Sequence, residues 1–200
     1  MPFPFALSLL FIVCAADRSL AGEENSLRSF VWYEKDRAHT VWLDAEHVAE
    51  FNGSQPGSEE SSAVRRMFRN SSPVRTQGVV RVWKVGGAGD SEAAARSLRL
   101  GNPGTAYSPV LRDSLGTKAP MRALPGNFIV HFQLSWDESK VKAWIARNKF
   151  EVVQKLEIGP NVYVLKSEAG LASLQRANEV HASGEVVAAY PNWWRELGKR

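Results

Sequence analysis

LPGNFIVHFQLSWDESKVKAWIARNKFEVVQKLEIGPNVYVLKSEAGLASLQRANEVHASGEVVAAY, residues 124–190, is the stretch whose periodicity decides the fold. Phe128, Val130, Phe132 and Leu134 recur at every second position, which puts them on one face of a strand. Ser135 is followed three residues later by Glu138, a capping box that opens a helix. Val141, Trp144 and Ile145 supply the apolar stripe of that helix. Residues 151–158 read as a second strand, Gly159-Pro160-Asn161 as a turn, and Val162–Lys166 as a third strand. A second helix is expected over 168–183, with Leu171, Leu174, Ala177 and Val180 inward and Gly184 as its terminator. Residues 186–190 complete the set as a fourth strand.

The resulting order is β-α-β-β-α-β. It predicts an α+β fold of ferredoxin-like type, four antiparallel strands with two helices against one face. Nothing within 124–190 covers the other face, on which Val153, Lys155 and Glu157 are expected. Such a face meets solvent, the rest of the chain, or a partner.

Working outward, residues 22–123 are richer in Gly, Ser and Pro and predict a smaller, strand-rich N-terminal domain with loops. Ser29–Glu34 and residues 40–43 flank the turn Lys35-Asp36-Arg37, a hairpin signal. Residues 52–62 read as a polar loop and 63–68 as a short helix. GVVRVWKV, residues 78–85, alternates as a strand. Residues 91–100 predict a helix with Ser91 as N-cap. Residues 110–115 are expected to be a strand, and 119–125 a linker. Trp32, Trp42 and Trp83 are expected to help this half pack.

At the amino end, residues 1–21 read MPFPFALSLLFIVCAADRSLA, an apolar run followed by the small-x-small site Ser19-Leu20-Ala21. That is the layout of a signal peptide, so a secreted or periplasmic protein is expected, with no membrane attachment after cleavage. Cys14 is the only cysteine and leaves with the leader, so neither disulfides nor thiol chemistry is expected in the mature chain. A hydrophobic share of 44% and a charged share of 23% exclude wholesale disorder and a polytopic membrane protein. The net charge of +4 is spread along the chain, so nucleic acid is not an expected partner.

Catalytic signals are missing. The histidines His39, His47, His131 and His181 form no ligand-spaced pair, and no nucleophile elbow, Walker loop or dinucleotide fingerprint occurs. His131 reads as a surface histidine. The expectation is a protein that is not an enzyme and carries no cofactor or metal.

The carboxyl end, PNWWRELGKR, residues 191–200, holds two adjacent tryptophans and a Lys-Arg pair. Here the sequence resembles the prodomain of subtilisin-like serine proteases. LPGNFIVHF at 124–132, NVYVL at 161–165, ASGE at 182–185 and VVAAYPN at 186–192 carry the resemblance. WYEKDRAHTVWLDAEHVAEF at 32–51 and YSPVLRDSLGTKAPMRALPGN at 107–127 are similar to the segment preceding that prodomain in some bacterial subtilases. No Asp, His or Ser motif of a catalytic domain follows Tyr190. The architecture is therefore similar to the external chaperones of propeptide-deficient, kexin-like secreted serine proteases.

That resemblance implies a chaperone and product-like inhibitor, a monomer when free, whose sheet face docks on a subtilisin/kexin-like protease while residues 191–200 enter its cleft. The protease-binding residues it implies are Tyr190, Trp193, Trp194, Leu197, Gly198, Lys199 and Arg200. Arg200 would take the primary pocket, Lys199 and Gly198 the next two, and Leu197 the apolar fourth. Removing 191–200 is then expected to weaken inhibition and leave the fold intact. A tail folded home against its own chain, with both tryptophans interred there and no room to swing free, would overturn the arm mechanism. Two other readings stay open: a remnant of a protease precursor, and a secreted peptide-binding module with no protease partner.

Overall fold

The computed structural model describes residues 28–51, 62–85, 90–116 and 118–197. Residues 1–27, with Cys14 and the expected signal peptide, most of the loop 52–62, and Gly198, Lys199 and Arg200 lie outside the described residues. The chain is mixed α and β, in two sheets.

The first sheet begins with the hairpin read from the sequence. β1 (Ser29–Glu34) turns at Lys35 and Asp36 into β2 (Arg37–Phe51), with Lys35 at φ 53°. At 15 residues β2 is far longer than the alternation of 40–43 indicated. It bends at a bulge between Asp44 and Val48, and that bend lets one strand serve several partners. α1 (Ala63–Met67) follows, capped by the Ser62 hydroxyl. β3 (Ser72–Gln77), unread in the sequence, turns through Gly78 at φ 58° into β4 (Val80–Lys84).

The cap of α2 (Ser91–Gly101) lies one residue earlier than expected. Asp90 is the N-cap, its carboxylate accepting from Glu92 N, while the Ser91 hydroxyl donates to the Asp44 carbonyl at 2.7 Å. β5 (Ala106–Arg112) begins four residues before the expected 110–115 and ends three residues before its end. β6 (Met121–Ala123) replaces the expected linker; all three of its residues are buried, because they pair with β5 inside the sheet.

The second sheet is β7 (Asn127–His131), β8 (Val152–Lys155), β9 (Val162–Lys166) and β10 (Ala188–Pro191), ordered β10-β7-β9-β8 with every pair antiparallel. α3 (Glu138–Arg147) and α4 (Leu171–Ala182) connect β7 to β8 and β9 to β10. Phe128, Val130, Phe132, Tyr163, Leu165 and Ala189 form one core with Val141, Trp144, Ile145, Ala177 and Val180, so both helices lie against the same sheet face.

Three details differ from the sequence reading. Leu134 is 76% exposed, because β7 ends at His131 and the chain turns. The cap of α3 is Asp137, which accepts from Lys140 N at 2.7 Å; Ser135 is in the preceding turn. A bulge between Val152 and Gln154 resets the alternation of β8, so Lys155 pairs with Tyr163 and its ammonium lies over that core ring. Lys155, though exposed, therefore lies on the helix side, Glu157 sits in the turn beyond β8, and Val153 is an exposed strand residue at the bulge.

β11 (Trp194–Arg195) belongs to the first sheet, although it follows the second in sequence. The order of that sheet is β11-β6-β5-β2-β4-β3, with β1 also on β2. One face holds α1 and α2 over Val48, Trp83 and Tyr107. The other is a curled interior of Phe51, Val80, Val82, Val110, Met121 and Ala123, against which Trp194 packs. A third cluster, Trp32, Val41, Leu111, Leu124, Leu171 and Leu174, joins the two sheets.

Candidate functional site

The C-terminal segment leaves the second sheet at β10 and returns to the first. Tyr190, on the face of β10 away from the helices, is half-buried and shares a 2.8 Å hydrogen bond with His131 Nε2. Burial, then the nearby Glu34 carboxylate, raises the Tyr190 pKa. Burial, then the Lys35 ammonium, lowers that of His131, so the imidazole is neutral at pH 7. His131 is thus a hydrogen-bonded, partly buried group rather than a simple surface histidine.

Asn192 ties the next residue down, its side-chain amide donating to Asn127 Oδ1 at 2.8 Å. Trp193 packs edge-on against Trp32 with ring centroids 5.7 Å apart. The Arg122 guanidinium lies over both rings, at 5.4 Å from Trp193 and 5.5 Å from Trp32, and is ion-paired with Asp113. Trp194 pairs with Ala123, and its indole closes the interior of the first sheet. Arg195 pairs with Arg122 along the backbone and reaches Asp113 with its side chain at 3.4 Å.

The last described residues are held by the opposite edge of the same sheet. Gln77 Nε2 donates to the Arg195 carbonyl at 3.2 Å, and Gln77 Oε1 accepts from Leu197 N at 3.0 Å. Arg75 donates to the Leu197 carbonyl at 2.6 Å and pairs with Glu196 at 3.4 Å. Glu196 N donates to the Met121 carbonyl, while the Glu196 carboxylate accepts from Met121 N at 3.3 Å. β3 and β11 are the two ends of the strand order, so these contacts fasten the curled sheet edge to edge.

The expected free arm is therefore corrected for residues 191–197. Trp193 and Trp194 are half-buried on their own chain, and Tyr190 is engaged with His131. Burying indole surface and closing a row of backbone groups outweighs leaving them in water. Leu197 differs: both its backbone groups are gripped, yet it is 67% exposed. Gly198, Lys199 and Arg200 lie outside the described residues.

Two polar clusters elsewhere were not read from the sequence. Glu50 is buried, accepting from Trp83 Nε1 at 2.8 Å, from Ser62 Oγ at 3.1 Å and from the Tyr107 hydroxyl at 3.4 Å. Burial, then this carboxylate, pushes Tyr107 up to about 12. Asp44 binds His47 Nδ1 at 2.8 Å and Arg112 at 2.6 Å. A carboxylate-oriented imidazole can serve a nucleophile, but among the described residues no hydroxyl or thiol is hydrogen-bonded to His47, and Ser91 is spent on a backbone carbonyl. Both clusters are read as anchors of β2.

Among the described residues no group of three or more His, Cys, Asp or Glu is arranged to hold a metal ion, and no helix is long and apolar enough to cross a membrane. Comparison with known proteins returns nothing significant: no family model, no curated protein and no solved structure matches this chain.

Proposed function

We propose that this chain is a secreted, non-enzymatic chaperone and inhibitor of a subtilisin/kexin-like serine protease. The observation that carries the reading is the second sheet. Its order β10-β7-β9-β8, with both helices against one face, supports a ferredoxin-like unit of the kind a subtilase prodomain implies, and β10 runs straight into the C-terminal segment. Docked residues 194–196 narrow the mechanism. Leu197, Gly198, Lys199 and Arg200 are the segment that enters the cleft, while Trp193 and Trp194 root it in the chain.

Chaperoning follows from mass action, since a surface that binds only the native protease stabilises it. The test is inhibition of a purified kexin-like protease and of a subtilisin by the full chain and its Arg200→Ala variant. Losing a charge-assisted contact in the primary pocket raises the inhibition constant about 10- to 100-fold. Equal inhibition by both proteins removes Arg200 from the mechanism.

A second reading is favoured by the docked tail itself. If 191–197 serve only to complete the first sheet, the chain is a secreted binding module and inhibits neither protease.

A further inference from the structure

We propose that the outer face of α1 and α2 is a docking surface for an acidic protein, with Leu100 and Met67 at its centre and arginines around them. The inference stands apart from the protease reading, because the two helices cover one face of the first sheet and Trp194 packs on the other.

The net charge of +4 is not spread evenly through the fold. Residues 62–101 hold seven arginines and one lysine against Asp90 and Glu92, an excess larger than that of the whole chain. Both acids are already matched, since Arg28 reaches Glu92 at 2.6 Å and Asp90 at 3.5 Å. Of the arginines, Arg75 pairs with Glu196, Arg99 pairs with Glu168, and Arg81 is buried. The other four, Arg65, Arg66, Arg69 and Arg96, belong to α1, the turn after it and α2. Like charges gathered on one surface repel, so the gathering is lowest in free energy against an opposite charge.

The cluster surrounds apolar surface. Leu100 is 81% exposed and Met67 44%. A Cβ at Gly101 would meet the Met67 methyl at 3.7 Å, so Met67 lies against the end of α2 beside Leu100. Arg66 and Arg69, both exposed, flank Met67 in the chain, and Arg96 stands one turn before Leu100 on the same outward side. A lone exposed leucine is ordinary; a leucine and a methionine together within a ring of like charge are informative.

This chemistry favours carboxylates on a protein over phosphates on a lipid or a nucleic acid. Leu100 and Met67 together bury less than one acyl chain, and a single acyl chain holds a protein to a bilayer only marginally. Neither side chain can stack on a base. An apolar centre with methionine and an arginine rim is instead the composition of a protein interface, where a guanidinium fork takes a carboxylate through two hydrogen bonds.

The probe is a fluorescent random copolymer of glutamate and tyrosine, carboxylates interleaved with apolar rings, titrated with the full chain at about 50 mM and about 200 mM salt. Binding is saturable and weakens at the higher salt. Arg69→Gln with Arg96→Gln raises the dissociation constant about tenfold, from two lost charge pairs. Leu100→Ser raises it about fivefold, from lost apolar contact. Arg37→Gln with Lys149→Gln removes the same charge from exposed positions elsewhere and stays within about twofold. Urea melts check that each variant folds; should the first pair not fold, Arg96→Gln alone is read, with an effect of about threefold. Equal loss in the two double variants overturns the proposal and leaves a general attraction between a basic protein and a polyanion. No effect of Leu100→Ser, or no binding at the lower salt, overturns the docking surface. Tighter binding of a DNA duplex, or of vesicles with about 30% phosphatidylglycerol in phosphatidylcholine, weakened by the same substitutions, overturns the acidic-protein assignment and gives the face to phosphate.

Discussion

Asp44 sits at the bulge of β2 and is held from three sides. His47 Nδ1 lies at 2.8 Å, the Arg112 guanidinium at 2.6 Å and Glu46 N at 3.0 Å. Burial acts to raise its pKa; the His47 hydrogen bond and charge, with the Glu46 and Arg112 bonds, outweigh it and leave the carboxyl at about 2. A carboxyl that ionises more readily folded than unfolded stabilises the fold above its unfolded pKa. That contribution fades as pH falls from about 4 towards 2. Asp44→Asn is expected to cost about 2 kcal/mol at pH 7, from a shift of somewhat under two units. Urea melts of both proteins at pH 7 and pH 2.5 check this. The gap between them narrows to about a third at the lower pH; a gap that stays constant rejects the role given to ionised Asp44. Neither His47 nor Arg112 was legible as its partner, because 68 residues separate Asp44 from Arg112 and a bulge that sequence periodicity does not show turns His47 back on it.

The elements themselves show which local signals win. Sequence spacing favours Ser135 as the cap of α3, but the chain turns through Leu134 and Ser135, and Asp137 takes the position. Asp137→Ala is expected to cost about 1 kcal/mol in thermal or urea unfolding, and Ser135→Ala close to nothing. The reverse ranking would restore the capping box. The helical stripes were legible because Val141, Trp144, Ile145, Leu171, Leu174, Ala177 and Val180 repeat with the helix and all are buried. β3 was illegible for the opposite reason. Pro73 and a run of polar residues conceal an edge strand whose pairing with β4 is itself shifted between Pro73 and Arg75. β6 reads as a linker in the sequence because three residues carry no period, and only their pairing with β5 and β11 makes them a strand. At Gly126, between β6 and β7, φ is 106° and a Cβ would meet Ala169 N at 3.0 Å, so the crossing between sheets needs glycine.

At the scale of the whole molecule the carboxyl terminus is structural before it is functional. The shared cluster of Trp32, Val41, Leu111, Leu124, Leu171 and Leu174 welds the sheets, and Trp193 and Tyr190 pack on it. Deleting 194–200 removes β11 and takes the Trp194 indole from the interior. That is expected to cost about 3 kcal/mol, within the range for losing a large packed aromatic. Deleting 198–200 alone is expected to stay within about 0.5 kcal/mol of the full chain. Chemical denaturation of the three proteins measures both, and equal stability of all three would mean that the tail does not close the sheet. Removal of 191–200 is therefore not expected to leave the fold intact, because β11 and Trp194 close the first sheet.

The sequence alone determined the second sheet and its two helices. Their signals are local, a period of two or of 3.6 between turn residues, and each element reports its own buried face. It also marked the carboxyl end, through two tryptophans and a basic pair. Only the tertiary structure decided where that end goes. Contacts between Arg75 and Leu197, or Gln77 and Arg195, join residues more than a hundred positions apart and leave no period in either segment. They exist because a curled sheet brings its first and last strands together, and an open edge lined with apolar surface is lower in free energy when closed.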